Sequence, residues 1–413
     1  MKKKIIIAAI SLVMLVGCNE VPEDVRSRTE EREEAKSAAR AEASDSSGEL
    51  GYISLSDLRN DIDKALSVKY SNFILADGLK VDLPAEYSIC DFKQADDFEK
   101  KADILAGRFF TEDELEGETI SLLNEPATDG ENDPNMIYAR GFRDNDKKLH
   151  CFVWDSGFSL LMKPYFFDDL GTDSTFFKLY HVDRGDDLSD KYKLADGEMT
   201  VKEASDLAQE WVDKNYSDIE PDYLFRVKTV IVRMNDDEEY HFLIRVSKIY
   251  KGIALDELCE TVDCSESDPN GGYYYRIENS LNYIEIKIGK QGEIGYFSNA
   301  TGTLVPKEKG QLDKIISLSS ALGYLQKTFA DFNDPMKVGD IELKYMLSPE
   351  YDYKAYKFYN TAGTKMKGRI VWEFVIDVPQ DVGSEYNDVR KYICIDVQTG
   401  EMIYEFDVNA LLQ

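Results

Sequence analysis

Apolar residues recur every three or four positions in several segments of the chain, a spacing typical of one buried helix face. The segment that begins at Val201 also carries a signal for the start of a helix, because Thr200 and Glu203 have the spacing of a capping box. We therefore predict helices at these places. The apolar stripes are Leu55, Leu58, Ile62 and Leu66; Phe98, Ala102, Leu105 and Phe109; Val201, Ala204, Ala208, Trp211 and Val212; and Leu318, Ala321, Leu325 and Phe329.

Other segments alternate apolar and polar residues, as half-buried strands do. Between 150 and 162 two such runs flank Asp155-Ser156-Gly157, which predicts a hairpin with a short turn. The acidic run Asn235–Glu239 is interpreted as another hairpin tip. Further alternating runs are Tyr240 to Val246, Ile284 to Ile288, Trp372 to Ile376 and Ile393 to Val397.

The same order of elements occurs twice in the C-terminal half. The helix at Val201 and the helix at Leu318 each precede alternating strands, about 117 residues apart. Each copy ends in a Gly-Glu pair, at Gly292 and at Gly400, and we expect a turn with positive φ at Gly400. Two successive units of a helix and an antiparallel sheet are the simplest account of this repeat.

The second copy carries a resemblance to a known family. Its segments 371–377 and 392–401, the latter ending in Asp396-Val397-Gln398-Thr399-Gly400-Glu401, resemble the end of a PepSY-type domain. The first copy is a weaker match, because Ile288-Gly289-Lys290-Gln291 replaces the Asp-x-x-Thr pattern. The resemblance implies non-catalytic modules, some of which are similar to protease propeptides and modulate peptidases.

These patterns predict an α+β protein, in which an N-terminal α+β domain precedes two helix-plus-antiparallel-sheet (PepSY-like) units. Segment 19–50 is rich in charged residues and alanine and nearly free of large apolar ones, so we expect a spacer there. The predicted parts are a signal segment 1–17, an anchor and spacer 18–50, an N-terminal domain 51–194, a first repeat 195–308 and a second repeat 309–413.

The first residues predict where the protein works. Lys2-Lys3-Lys4 precede an apolar run from Ile5 to Val16, which is too short to span a bilayer as a mature helix. Leu15-Val16-Gly17-Cys18 resembles the lipobox of bacterial lipoproteins, and the layout as a whole resembles uncharacterised lipoproteins of Firmicutes. The resemblance implies that Cys18 becomes a lipidated N-terminus held in the bilayer. We expect a protein on the extracytoplasmic face of the cell membrane; an ordinary secretory signal is the alternative.

Charge narrows the range of partners. The chain has 49 basic and 79 acidic residues and a formal net charge of −30. Such a surface repels phosphate backbones, so we expect no nucleic-acid partner. It also repels anionic lipid headgroups, so the acyl chain has to provide the anchoring.

Cysteine spacing leaves several pairings open. Cys259 and Cys264 stand five apart in a polar segment and suit a local disulfide. Cys90 and Cys151 each lie on a predicted strand and form a second candidate pair, and Cys394 is interpreted as a lone thiol. Reduced thiols throughout are the alternative.

Signatures of catalysis are missing from the sequence. It has three His, no His-Glu-x-x-His, no nucleophile elbow and no P-loop. His241 alternates with apolar neighbours and is predicted to face solvent. Asp129, Glu131 and Asp133 alternate like calcium-loop ligands, but Pro134 stands where that loop needs Gly. We therefore predict no catalytic residue, no metal and no cofactor.

One segment has the character of a contact surface. The first repeat contains an insertion with Tyr273, Tyr274 and Tyr275, and exposed Tyr contacts a partner at low entropic cost. The alternative is that these residues begin a strand. We expect a non-catalytic module that binds or modulates an extracellular protein or peptidase. An accessory or sensory lipoprotein of an envelope system and a solute-binding lipoprotein are the alternatives, and the oligomeric state is left open.

Overall fold

The computed structural model divides the chain into two compact units, 1–52 with 263–276 and 53–262 with 277–413. Nearly all the residues that it describes belong to the second unit, and the following account concerns that unit. The described residues are 51–112, 118–121, 138–143, 149–155, 159–163, 175–235, 238–255, 284–289, 292–299, 303–328, 336–349, 365–377 and 391–405.

Strands outnumber helices in the described part of the chain. The four helices found there are α1 (Leu58–Ser67), α2 (Phe98–Phe109), α3 (Val201–Asn215) and α4 (Leu318–Thr328). The strands are β1 (Tyr52–Ser54), β2 (Phe73–Leu75), β3 (Ser88–Gln94), β4 (Glu118–Ser121), β5 (Tyr138–Arg143), β6 (Leu149–Asp155), β7 (Ser159–Met162), β8 (Thr175–His181), β9 (Lys191–Leu194), β10 (Gly197–Thr200), β11 (Leu224–Met234), β12 (Tyr240–Tyr250), β13 (Ile253–Ala254), β14 (Ile284–Ile288), β15 (Ile294–Asn299), β16 (Leu304–Gln311), β17 (Lys314–Ile316), β18 (Met336–Pro349), β19 (Lys365–Asp377), β20 (Lys391–Asp396) and β21 (Met402–Glu405).

Helix α3 begins where the sequence predicts. Glu203 N donates to Thr200 Oγ1 at 3.1 Å, and Thr200 N donates to Glu203 Oε2 at 2.7 Å, so the capping box is reciprocal. The helix packs on β11 and β12 with its apolar stripe, while Trp211 at the side of the stripe stays half-buried. The buried stripe consists of Val201, Ala204, Ala208 and Val212.

Strands β11, β12, β14 and β15 pair antiparallel in that order, and we call them the first meander. The tip between β11 and β12 is closed by Asn235 N donating to Glu239 O at 3.0 Å, which confirms the predicted hairpin. Strand β8 pairs with β11 on one side, and β7, β6, β5 and β4 continue from β15 on the other. The predicted hairpin around 155–157 is the β6–β7 pair.

Strands β18, β19, β20 and β21 pair antiparallel in that order, and we call them the second meander. Strand β2 adds to β18 in parallel, and β3 pairs with both β19 and β16. Gly400, at the turn before β21, has φ +72, which confirms the expected positive-φ position. Strand β16, which pairs with β3 among the described residues, carries Pro306 and exposed Lys side chains, features that disfavour pairing with other chains.

The two meanders meet at β13. Lys251 and Gly252 between β12 and β13 have φ of 49 and 85, so this two-residue turn reverses the chain as a type I′ turn does. Ala254 then pairs in parallel with Lys344 of β18. One cluster of buried apolar side chains continues through both meanders and the helices above them. At its centre, fully buried Trp372 donates Nε1 to Ile316 O at 2.9 Å.

The predicted fold class is wrong. The protein is mostly β-sheet, with a large mixed sheet, and is not an N-terminal α+β domain followed by two PepSY-like helix-plus-sheet units. The predicted helices form, but strands from distant segments extend both meanders: β8 joins the first, and β2 and β3 join the second. Local periodicity carries no information on such long-range pairing. The domain boundaries at 194 and 308 stay a prediction.

Candidate functional site

The candidate site lies at strand β8, which in the described part of the chain is an edge of the sheet that widens the first meander. Among the described residues, β8 pairs with β11 alone. The register moves from Lys178 opposite Val232 to Phe176 opposite Arg233, so Phe177 is the extra residue of a β-bulge. Bulges redirect side chains and are frequent beside binding sites. Phe177 is 47% exposed, which is unusual for a residue of its size and polarity.

The bulge brings Phe177 against two tyrosines of other strands. Its ring centroid lies 5.1 Å from that of Tyr240 on β12 and 5.8 Å from that of Tyr192 on β9. The Tyr192 and Tyr240 centroids are 5.1 Å apart. Edge-to-face pairs at these distances stabilise one another. We call Phe177, Tyr192 and Tyr240 the aromatic surface. Within it Phe177 is exposed, Tyr240 is half-buried and Tyr192 is buried.

Polar groups fix one margin of the aromatic surface. Lys178 Nζ donates to Asp190 Oδ2 at 2.7 Å, and the Tyr180 hydroxyl also donates to this oxygen. The Tyr180 and Tyr192 hydroxyls are 2.5 Å apart. These hydrogen bonds, that from Lys178 foremost, lower the pKa of Asp190, whereas burial raises the pKa of Tyr180 well above its usual value. At neutral pH this margin therefore holds the Asp190 carboxylate beside the neutral Tyr180 phenol, an arrangement suited to contact rather than to proton transfer.

A second polar group of residues lies where the two meanders meet. Carboxylate oxygens of Asp183, Asp340 and Glu342 all lie within 4.8 Å of one another, a spacing that a cation site requires. However, Arg184 Nη2 is 2.8 Å from Asp340 Oδ2, and Lys228 Nζ is 3.3 Å from Glu342 Oε2. Cationic side chains therefore already hold two of the three carboxylates, those of Asp340 and Glu342, and we assign no metal to this group.

A third polar group is sealed in the core. Lys248 and Glu220 form an ion pair at 3.0 Å with both side chains 0% exposed. Glu220 also accepts hydrogen bonds from the Tyr216 hydroxyl at 2.6 Å and from Leu304 N at 2.7 Å. Burial lowers the pKa of Lys248, and the Glu220 carboxylate opposes that shift. Because both side chains are 0% exposed, this pair joins the segment that follows α3 to β12 and β16 but offers no group to a ligand.

Most of the sequence-predicted site residues fall outside the described part of the chain. This holds for the lipidation site Cys18, for the candidate disulfide Cys259–Cys264, for the candidate binding residues Tyr273, Tyr274 and Tyr275, and for the acidic run Asp129–Asp133. These four assignments remain predictions.

In the part of the chain that the structure describes, Cys90 and Cys394 are buried and neither forms a disulfide bond. The finding confirms the prediction that Cys394 does not pair with another cysteine. It also makes the candidate pair Cys90–Cys151 wrong, because Cys90 lies in the core of β3, with its sulfur 3.9 Å from the Tyr345 hydroxyl. Burial raises the pKa of the Cys90 thiol, so it is a packing residue rather than a nucleophile.

The prediction that His241 faces solvent is wrong. Its imidazole is half-buried on β12, opposite Arg233 of β11. Burial, with smaller contributions from Lys287 and Arg233, lowers its pKa to about 4. The alternation of apolar residues along β12 predicted this orientation correctly, but the second face of the strand is covered as well.

Sequence reasoning missed the aromatic surface. Its three rings come from strands separated by up to about 60 residues, and the exposure of Phe177 depends on a bulge. The sequence signal available was the dense aromatic run Phe176-Phe177-Lys178-Leu179-Tyr180, which the strand alternation left unexplained.

No protein-family model and no curated protein matches this chain. Among solved structures, the chain is similar to an uncharacterized protein from Eubacterium rectale ATCC 33656. The two are 14% identical, the similarity covers 84% of this chain and 99% of that chain, and the TM-score is 0.44. So low a score supports no conclusion on function. None of the helices in the described ranges is long and apolar enough to cross a bilayer.

Proposed function

We propose that this protein is a lipid-anchored, non-catalytic module that binds an extended segment of an extracellular protein along strand β8. The observation that carries the proposal is the exposed Phe177, held by a bulge against Tyr192 and Tyr240. Large aromatic residues in packed surroundings supply most of the energy of protein contacts.

The partner's conformation follows from the edge strand. A strand paired on one side offers backbone N–H and C=O groups to an added strand, and side-chain contacts then give specificity. In the described part of the chain β8 has β11 as its one strand neighbour. The net charge of −30 favours a basic partner segment through long-range attraction, most strongly at low salt.

The place of action rests on the sequence around Cys18. The Lys2–Lys4 cluster, the apolar run and Cys18 support export and acylation. Cells expressing the full chain and fed an alkyne fatty acid should label the protein, and Cys18→Ala should abolish the label. Equal labelling of Cys18→Ala would exclude lipidation at this residue.

Binding is tested by capture of partners from the cell surface. Phe177→Ser and Tyr240→Ser should each weaken capture about 30-fold, the equivalent of about 2 kcal/mol for an aromatic anchor. Val305→Ser is the matched control, because Val305 is 42% exposed on β16 and lies outside the aromatic surface. Capture that falls equally in all three variants would refute the proposed surface. Turnover of a peptide by the purified protein would refute the non-catalytic assignment.

A further inference from the structure

One face of the first meander carries basic residues on adjacent strands. Arg233 of β11 stands directly opposite His241 of β12. Leu243, two residues further along β12, stands opposite Lys287 of β14. Opposite residues of an antiparallel pair share a face, and so do residues two apart on one strand, so these four side chains lie on the same face. His241 and Lys287 are therefore diagonal neighbours, a relation that places long side chains within reach of one ligand group.

Lys287 is half-buried and forms no ion pair in the described part of the chain. Its Nζ lies 4.3 Å from the centre of the Tyr296 ring, a contact that supplies no hydrogen-bond acceptor. The carboxylate of Glu285 on the same strand is engaged by Arg245, with Oε1 3.7 Å from Nε. Burial lowers the pKa of Lys287, and the Glu285 charge opposes that shift. An ammonium group in these surroundings favours an anion that accepts its hydrogen bonds.

His241 is half-buried beside it and likewise forms no side-chain hydrogen bond with the described residues. Burial lowers its pKa to about 4, and the charges of Lys287 and Arg233 add to the shift. At neutral pH the imidazole is therefore uncharged and keeps one ring N–H donor. We call His241 and Lys287 the basic pair. Both members carry donors on the same face of the sheet.

The basic pair is separate from the aromatic surface. Tyr240 and His241 are consecutive on β12, so their side chains point to opposite faces of the sheet. A ligand of the basic pair is therefore independent of a partner at β8. Arg233 makes further contacts, and we assign it no contact with the ligand. Its charge, which acts on His241, adds to the attraction for an anion.

We propose that the basic pair binds the carboxylate group of a small organic acid, with one oxygen accepting from Lys287 Nζ and the other from a ring N–H of His241. Two donors match the two oxygens of a carboxylate, and a hydrogen bond from an ammonium group to a carboxylate is stronger than one between neutral groups. A singly charged ligand is favoured over a phosphate dianion, because the net charge of −30 repels a dianion more strongly.

Histidine NMR of the full chain tests the basic pair, with sodium acetate as the probe near pH 6 and sodium chloride at equal ionic strength as the reference. The chain has three His, and His241→Gln identifies the His241 signal. Acetate should shift this signal saturably and raise the pKa of His241 above about 4, because a carboxylate stabilises the imidazolium. Lys287→Met should weaken acetate binding about tenfold. Lys202→Met, which removes an exposed lysine of α3, should leave it unchanged.

A second measurement needs no variant and keeps the test decisive if Lys287→Met does not fold. Acetate should slow the reductive methylation of Lys287 by formaldehyde and cyanoborohydride, relative to that of Lys202, as read by peptide mass spectrometry. Equal shifts of the His241 signal by acetate and chloride would overturn the basic pair as a carboxylate site, and so would equal acetate affinity in the wild type and a folded Lys287→Met. Tighter binding of phosphate than of acetate would overturn the assigned ligand class.

Discussion

The buried pair Lys248–Glu220 predicts the order in which two variants lose unfolding free energy, and that order separates the effect of charge from the effect of packing. Lys248→Met keeps the length of the side chain but leaves the Glu220 carboxylate, 0% exposed, without its cation. Removing one partner of a buried pair costs about 3–5 kcal/mol, because the other charge stays in the core. Glu220 would keep its hydrogen bonds from Tyr216 and Leu304, so we expect a loss of unfolding free energy near the lower end of this range.

A second substitution separates charge from packing. Adding Glu220→Gln to Lys248→Met removes the stranded charge and keeps an oxygen that accepts from Tyr216 or Leu304. The double variant should therefore be more stable than Lys248→Met alone, although it differs from the wild type at one more buried site. A simple sum of two lost contacts predicts the opposite order.

Urea unfolding followed by tryptophan fluorescence measures these differences. The control is Lys202→Met, which breaks an exposed pair with Asp206 on α3 and should cost under about 0.5 kcal/mol. A loss below about 1 kcal/mol for Lys248→Met, or a double variant less stable than the single one, would refute the reasoning.

Three further substitutions test other parts of the structure. Tyr223→Phe should stabilise the protein by about 1 kcal/mol in urea unfolding, because the Tyr223 hydroxyl is buried without a hydrogen-bond partner in the described part of the chain. Tyr216→Phe should destabilise the protein, because the Tyr216 hydroxyl donates to Glu220. Trp372→Ala should cost about 3–5 kcal/mol and more than Trp211→Ala, since Trp372 is fully buried and Trp211 half-buried; equal losses would contradict this packing. The pKa of His241 is about 4 in the folded protein and 6.5 in an unperturbed histidine. The stability that neutral His241 contributes is therefore complete above pH 6.5 and is lost as pH falls toward 4. His241→Gln should accordingly reduce the loss of stability in acid. An unchanged pH profile between 6.5 and 4 in His241→Gln would contradict the buried imidazole.

The elements that sequence predicts well are those with local causes. The α3 start depends on Thr200 and Glu203, three residues apart, and the turn at Gly400 on a single glycine. Both are present in the structure at the predicted residues. The β6–β7 hairpin likewise follows from adjacent alternating runs and a short turn.

The fold class depends on causes that are not local. Strand β3 pairs with β16, which lies more than 200 residues further along the chain, with Ile89 opposite Gly310. Strand β2 pairs with β18. These pairings convert two apparent repeats into parts of a larger mixed sheet. The alternation of apolar and polar residues in β2 and β3 does not identify the strands with which they pair, because alternation specifies which face of a strand is buried and not which strand lies alongside.

The candidate site was unpredictable for a related reason. Exposure of Phe177 requires the bulge at β8, and its contacts come from β9 and β12. The hydrogen bond from Arg184 to Asp340 likewise joins residues 156 positions apart. Sequence reasoning selected the Tyr273–Tyr275 segment instead, since clustered tyrosines are visible without any knowledge of pairing.

The central claim is that a partner binds at the aromatic surface, and site-specific photocrosslinking on intact cells tests it most directly. A benzophenone amino acid replaces Phe177 in one full-length variant and Val305 in the other, two exposed apolar positions on different strands. We expect a discrete crosslinked protein from position 177 and none from position 305. No adduct from 177, or the same adducts from both positions, would contradict it.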